Sequence, residues 1–455
     1  MTKCVVLLLA AALAHAQGPS ADLNRQVSEL RELVLKLQAR IDELEKRSPA
    51  PAPAAPAPSG TIAAPAPAVN ATAPSTASPA PSTLSTVLGE TTVNFAFDGY
   101  YAYNFNAPIG RTNLLRSYDV SSNSFSLNQA NIVIENAADP SAGKHWGARL
   151  DLQFGQATQT LQGNAANEPR PDVYRNVFQA YGTWAPNSHL TIDFGKWSSS
   201  IGLEGNYSKD QINYSRSFWF DFLPFYHMGV RTAYKVNDAL TLNYWIDNGT
   251  QQTEAFNGFK DQLFGFVATP RKTVNWTMNY YLGQEHPDVV YYPYTSPAGL
   301  PTLQGESFSP IPNPAKGKTH IFDSYVTWTP NARWTLALEA DDVIQRYLPT
   351  SRPAHTDGGA AYARYQLTPK IAVAARGEYL SDRGGLYTGV SQTLKEATLT
   401  TEYKLGEGLS TRLEWRRDIS NNPYFLTDTL NLLAKHQTTA TVGVIWWFGK
   451  KTGAW

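Results

Sequence analysis

The chain has 455 residues, with 38 basic against 38 acidic side chains and a rich aromatic complement of 24 Tyr, 19 Phe and 12 Trp. A formally neutral chain without a basic block excludes nucleic acid as a partner. After residue 16 no stretch stays apolar for the roughly 18 to 20 residues that a spanning helix needs, so a helical membrane protein is excluded and a closed barrel is the spanning form that remains.

Lys3 precedes an apolar run from Cys4 to Leu13, and Ala14-His15-Ala16 is the small-x-small pattern at which a signal peptidase cuts. Residues 1–16 are therefore expected to be a signal peptide. Cleavage would remove Cys4, the only cysteine, so the exported chain would hold no disulfide. Cys4 also stands before the apolar run, where a lipoprotein anchor would need it after.

From Leu23 the apolar positions Leu23, Val27, Leu30, Val34, Leu37, Ile41 and Leu44 alternate in steps of four and three, and charged residues fill the positions between. This heptad seam predicts a periplasmic coiled coil over residues 17–47. Val27, Val34 and Ile41 at the a positions with leucine at d favour two strands, whereas large outer-membrane barrels are commonly trimers. Dimer and trimer therefore both stay open. Residues 48–86 are almost entirely Pro, Ala, Ser and Thr, a composition that buries no core and extends as a linker reaching on the order of 100 Å. Coil and linker together would suit a tether to peptidoglycan.

From about residue 87 to 455 the sequence alternates in segments of about ten residues. In Thr91–Phe105, Val93, Phe95, Phe97, Gly99, Tyr101, Tyr103 and Phe105 share one face, and Thr92, Asn94, Ala96, Asp98 and Asn104 the other. The Trp146–Phe154 and Thr411–Arg416 segments behave alike. Long connections near 106–123, 156–172, 198–227, 249–258, 284–318, 344–357, 382–391 and 420–436 alternate with short ones at 138–144, 185–189, 237–238, 270–271, 330–331, 368–369 and 406–408. That alternation requires 16 strands with both ends on the short-turn side, the plan of an outer-membrane barrel. Val173–Trp184 and Ser124–Asn136 alternate weakly, which leaves 14 and 18 strands as alternatives. The expected fold is all-β, a transmembrane antiparallel β-barrel of about 16 strands preceded by a short α-helical coiled coil, and such a barrel encloses water. The last strand, Thr438–Phe448, ends in aromatics, and either Phe448 or Trp455 would serve as the terminal aromatic of barrel assembly.

Parity turns Arg149, Arg364, Arg376, Lys404, Arg412 and Arg416 inward, against Asp151, Asp323, Glu339, Asp341, Glu378, Glu396, Glu402 and Glu414. This near balance predicts a weakly charge-selective hydrophilic pore with a small cation preference. No nucleophile elbow, zinc-helix motif or P-loop occurs, so no catalytic residue, cofactor or metal site is expected and the chain is not read as an enzyme. A barrel phospholipase would need an outward Ser/His pair that cannot be placed. The histidines after the leader are expected as surface or girdle residues, and Asp341-Asp342 at a strand end makes only a weak calcium pair.

At Gly195-Lys196-Trp197, Ile201-Gly202-Leu203-Glu204, Asn213-Tyr214-Ser215-Arg216-Ser217 and Pro224-Phe225-Tyr226-His227-Met228-Gly229-Val230-Arg231, the chain resembles the OmpL-like outer-membrane β-barrel porins. Leu240-Thr241-Leu242, Asp247-Asn248-Gly249 and the closing Trp446-Trp447-Phe448-Gly449 continue the resemblance, which runs from about 90 to 455. It implies a Gram-negative outer-membrane homo-oligomer in contact with lipid, passing small hydrophilic solutes and ions passively. By analogy with porins whose third loop folds inward, Glu204, Lys209, Asp210, Arg216 and Asp221 are candidates for a constriction, with folding or subunit contacts as the competing role of that loop.

Overall fold

The computed structural model describes residues 89–161, 168, 170–293, 308–451 and 454–455. The expected signal peptide, coiled coil and linker, residues 1–86, lie outside the described residues. The first half of the wall is Thr92–Asn104 (β1), Ser124–Asn136 (β2), Trp146–Phe154 (β3), Val177–Trp184 (β4), Leu190–Ser198 (β5), Tyr226–Asn237 (β6), Leu240–Asp247 (β7), Asp261–Arg271 (β8) and Val274–Gly283 (β9). After a hairpin of Val289–Pro293 (β10) and Phe308–Pro312 (β11), the wall resumes with Thr319–Asn331 (β12), Trp334–Gln345 (β13), Ala354–Gln366 (β14), Ile371–Arg383 (β15), Gln392–Gly406 (β16) and Leu409–Ser420 (β17). A second small hairpin, Phe425–Leu426 (β18) with Leu433–Ala434 (β19), precedes His436–Gly449 (β20).

Sixteen of these strands pair antiparallel, each with the next strand of the wall, β9 with β12 and β17 with β20 across the small hairpins, and β20 returns to β1 to close the barrel. Long and tight connections alternate as the sequence predicts, and 16 is the strand number that the alternation demanded. The weakly alternating stretch before Trp184 proves to be a helical turn, Pro171–Tyr174, followed by a short β4.

Burial is inverted relative to a water-soluble domain. On β1, Asn94, Asp98 and Asn104 are buried while Val93, Phe97 and Tyr103 are exposed, because lipid takes the place of a core around the outside and polar groups need the partners found inside. Rings gather at the two ends of the wall. Near the tight turns Trp146 stacks on Trp184 at 6.0 Å and Trp334 meets Tyr365 at 4.7 Å. Toward the long loops Tyr101 meets Phe125 and Tyr280 meets Phe322, each at 4.9 Å. These are the two interfacial girdles of an outer-membrane barrel. Phe448 belongs to the lower girdle, stacked on Phe95 at 5.0 Å.

The midsection between the girdles is therefore the hydrocarbon zone. Leu413, in the middle of β17 and 59% exposed, should tolerate no charge. Leu413→Arg is expected to destabilise the barrel by about 2–4 kcal/mol, measured as a shifted urea midpoint in lipid vesicles; an unshifted midpoint would place this face away from lipid.

Candidate functional site

The third long connection, residues 199–225, leaves β5 and turns into the barrel. Hydrogen bonds to the wall hold it along its length. Its first residues cross toward the far side: Ser200 O accepts from Asn279 Nδ2 of β9 (3.0 Å) and Tyr325 OH of β12 (3.2 Å), and the Leu203 amide donates to Glu339 Oε1 of β13 (2.7 Å). It then returns. Asn206 accepts from Gln129 Nε2 of β2 (2.9 Å) and donates to Gln153 of β3 (2.7 Å), Tyr207 OH donates to Asp151, and Ser208 Oγ donates to Asp98 of β1 (2.5 Å).

The next stretch, Asn213 to Phe218, lies against β15, β16 and β17. Glu414 accepts from the amides of Tyr214 (2.6 Å) and Ser215 (2.9 Å), and Glu378 accepts from the Phe218 amide (2.7 Å). Arg412 donates to Asn213 O (2.9 Å), Arg376 to Ser215 O (2.8 Å) and Arg416 to Arg216 O. Wall carboxylates thus bind loop amides, and wall guanidiniums bind loop carbonyls. An irregular backbone at this depth has no ladder of its own, so charged side chains satisfy it, with bonds roughly twice as strong as neutral ones. Asp98, Asp151, Glu339, Arg376, Thr400 and Glu414 each stand near the midpoint of their strand, so the loop lies across the barrel at mid-height.

One wall glycine makes this seating feasible. A Cβ at Gly443 of β20 would stand 2.3 Å from the Tyr214 ring, which lies there while its hydroxyl donates to Asp98 Oδ1 (2.7 Å). A short helix, Phe218–Phe222 (α1), capped by the Ser217 side chain on the Phe220 amide (2.9 Å), ends the crossing. The first long loop folds in above it: Tyr118 OH donates to Asn206, Ser117 to Asp221, and Arg116 pairs with Asp418 of β17 (2.7 Å). From the tight-turn end Lys451 and Trp455, both beyond β20, reach into the barrel. Lys451 pairs with Glu135 (2.7 Å), the Trp455 amide donates to Asp210 (3.2 Å), and the Trp455 ring meets Tyr207 edge-on at 5.7 Å with Lys209 Nζ over it at 4.5 Å.

The five constriction candidates fall in different environments. Glu204 pairs with Arg376 (2.8 Å) and accepts from the Ser217 amide (2.6 Å). Arg216, 1% exposed, donates to the carbonyls of Gly205, Asn206 and Tyr214 and covers the Tyr118 ring at 4.5 Å. Asp221 accepts from Ser117 and Tyr387, and burial raises its carboxyl above the usual range. Lys209 and Asp210 form a pair (2.7 Å) on the lower side of the loop, where burial lowers the lysine and Asp210 keeps solvent exposure. Arg149, Asp151, Arg376, Glu378, Arg412, Glu414 and Arg416 all point inward and are buried: Arg376, Glu378, Arg412, Glu414 and Arg416 hold the loop directly, and Arg149 and Asp151 pair with each other (2.9 Å) under Tyr207. A polar vestibule of about 290 Å³, lined by Glu135, Arg149, Tyr181, Thr183, Thr191 and Asp193, opens below the loop on the β2–β5 side.

Two expectations change. His227 is fully buried at the start of β6, with Ser199 Oγ 3.1 Å from Nε2 and Asp247 Oδ1 3.5 Å from Nδ1. The order of groups is that of a serine nucleophile, yet Asp247 Oδ1 is already taken by the Gly249 amide (2.9 Å) and Tyr281 (3.2 Å). The cavity beside Ser199 measures about 10 Å³, room for no scissile bond. Asp341 and Asp342 are consecutive within β13 and point to opposite faces, Asp341 inward, so they cannot share one calcium.

A family model described as "Putative beta-barrel porin-2, OmpL-like" matches residues 90–448. No curated protein matches the chain. Among solved structures, OprB of Pseudomonas putida at high pH is 13% identical over 80% of this chain and 96% of that one, with a TM-score of 0.50. The anion-selective porin from Comamonas acidovorans is 7% identical over 79% of this chain and 99% of that chain (TM-score 0.49), and the outer membrane channel DcaP of Acinetobacter baumannii 8% over 79% and 97% (TM-score 0.48). At such identities the likeness concerns the fold.

Proposed function

We propose, from the premise that the chain belongs to the OmpL-like beta-barrel porin-2 family, that this outer-membrane barrel passes small hydrophilic solutes and ions by passive diffusion, past a constriction set by its third loop. The observation that carries the reading is the loop's station at mid-height, anchored on both sides of a polar lumen. A passage beside it is bounded by fixed charges of both signs, whose effect is enlarged where water is confined.

Selectivity follows from pairing. The inward charges are close to balanced, and most are bound to one another or to loop backbone, as with Arg364 and Arg412 on Glu402 (3.1 and 2.8 Å). Their fields largely cancel along the path. In a tenfold salt gradient across a planar bilayer the reversal potential is expected within about a quarter of the ideal single-ion value and of cation sign; a near-ideal value of either sign would overturn weak selectivity. Refolded barrel that migrates anomalously on unheated gels and yet never conducts would remove the pore reading itself.

The expected heptad and Pro/Ala spacer support a compatible second role, tethering the barrel to peptidoglycan as a homo-oligomer of two or three chains. Deleting residues 17–86 should then leave conductance intact and weaken the envelope.

A further inference from the structure

A second group of inward charges lies apart from the arginine anchors of loop three. Asp323 of β12 stands directly opposite Asp341 of β13, and Glu339 precedes Asp341 by two residues on the same face. Their nearest carboxylate oxygens all lie within 4.8 Å of one another, and the residues are 2%, 4% and 5% exposed in the order Asp323, Asp341, Glu339.

Two of the three are only partly engaged. Asp323 Oδ2 accepts from Asn279 Nδ2 (2.7 Å), and Glu339 accepts from the Leu203 amide (2.7 Å) and Tyr362 OH (3.1 Å). Asp341 is different: both of its oxygens are buried and, among the described residues, neither is met by an N–H or hydroxyl donor, and the second oxygen of Asp323 is likewise unmet. Arg376 of nearby β15 is already committed to Glu204, Glu378 and Glu396. Among the described residues no lysine, arginine or histidine forms an ion pair with Asp323, Glu339 or Asp341.

Three carboxylates so close repel one another and have lost their water, a combination that survives in a protein only with protons or a cation between them. Here the second observation decides: an unsatisfied carboxylate projects into an all-oxygen cradle formed by two adjacent strands. Hard divalent cations take such ligands, and calcium tolerates their irregular geometry better than magnesium does.

We propose that Asp323, Glu339 and Asp341 form a binding site for one divalent cation of the calcium class, set in the wall at the foot of loop three. The cation would join β12 to β13 and, through the Leu203 amide on Glu339, brace the first turn of the loop. The site does not depend on the chain conducting.

The test uses the full barrel, refolded, stripped with EDTA and dialysed into millimolar calcium. Metal analysis and calorimetric titration with CaCl2 are expected to find one more tightly held calcium per chain than in Asp341→Asn, whose affinity should fall at least about tenfold while the gel mobility of the folded barrel is kept. Glu339→Gln serves the same comparison should the first variant not fold. Wild-type barrel without bound calcium would overturn the proposal and leave the group to protons. Equal binding in a folded variant would overturn it too, placing the ion at exposed loop acids.

Discussion

Excising Leu203–Ser217 and bridging the gap with glycines is expected to raise single-channel conductance at least about threefold, since a 16-stranded wall encloses an aqueous passage and this is the segment that crosses it at mid-height, the first loop staying folded in above on Asp418. The wall should survive the excision, because its ladder runs from strand to strand and owes no hydrogen bond to the loop. Arg376, Arg412 and Arg416 would exchange loop carbonyls for water, and Glu378 and Glu414 would exchange loop amides for water. Selectivity should then report the bare wall, where the inward acids outnumber the bases, and so move further toward cations. Unchanged conductance in folded protein would show that the loop does not limit flow.

The second large effect is expected at Arg376. Its guanidinium touches Glu204 (2.8 Å), Glu378 (3.0 Å) and Glu396 (3.2 Å), all buried, and also two loop groups, Ser215 and Arg216. Arg376→Met keeps much of the volume and leaves Glu204 and Glu378 without their paired cation and Glu396 with only Arg416, at 3.7 Å. A loss of about 3–5 kcal/mol is expected, the range for breaking a buried pair from one side, together with noisier conductance as the loop detaches. Adding Glu204→Gln should return part of the loss, because neighbours sharing a partner are not additive. An unchanged thermal midpoint for the single variant would sink the anchoring role.

Much of this architecture is legible in the sequence because a strand has a period of two. Once Phe97 and Leu413 are assigned to lipid, Asp98 and Arg412 must face inward, and the alternation of loop lengths fixes the strand number without any strand being certain. The third loop was readable as a segment, and its side chains as candidates, but its packing was not. Tyr214 rests where Gly443 leaves space, and nothing local in either stretch points to the other. Only the absence of a side chain at an inward position of the last strand gave a signal. The Asp323–Asp341 pair was hidden for a different reason. Parity turns both residues inward, but the register of that hairpin shifts between Trp328 and Asn331, so counting back from the turn at Pro330-Asn331 sets Asp323 opposite Asp342 instead of Asp341 and conceals how close the carboxylates stand. His227 falls outside the long connection expected to hold it because β6 begins at Tyr226, which buries its ring at the packed start of a strand.

The segment beyond Gly449 bears on how the molecule is held together. Trp455 reaches Asp210 across 245 positions of sequence, which joins the end of the chain to a loop inside the barrel. The contact of Trp455 with Tyr207 requires both loop three inside the barrel and β20 paired with β1. The final residues thus fasten the plug from the tight-turn end, like a clasp on a filled case, so that loop three and the closing strand are held by one another.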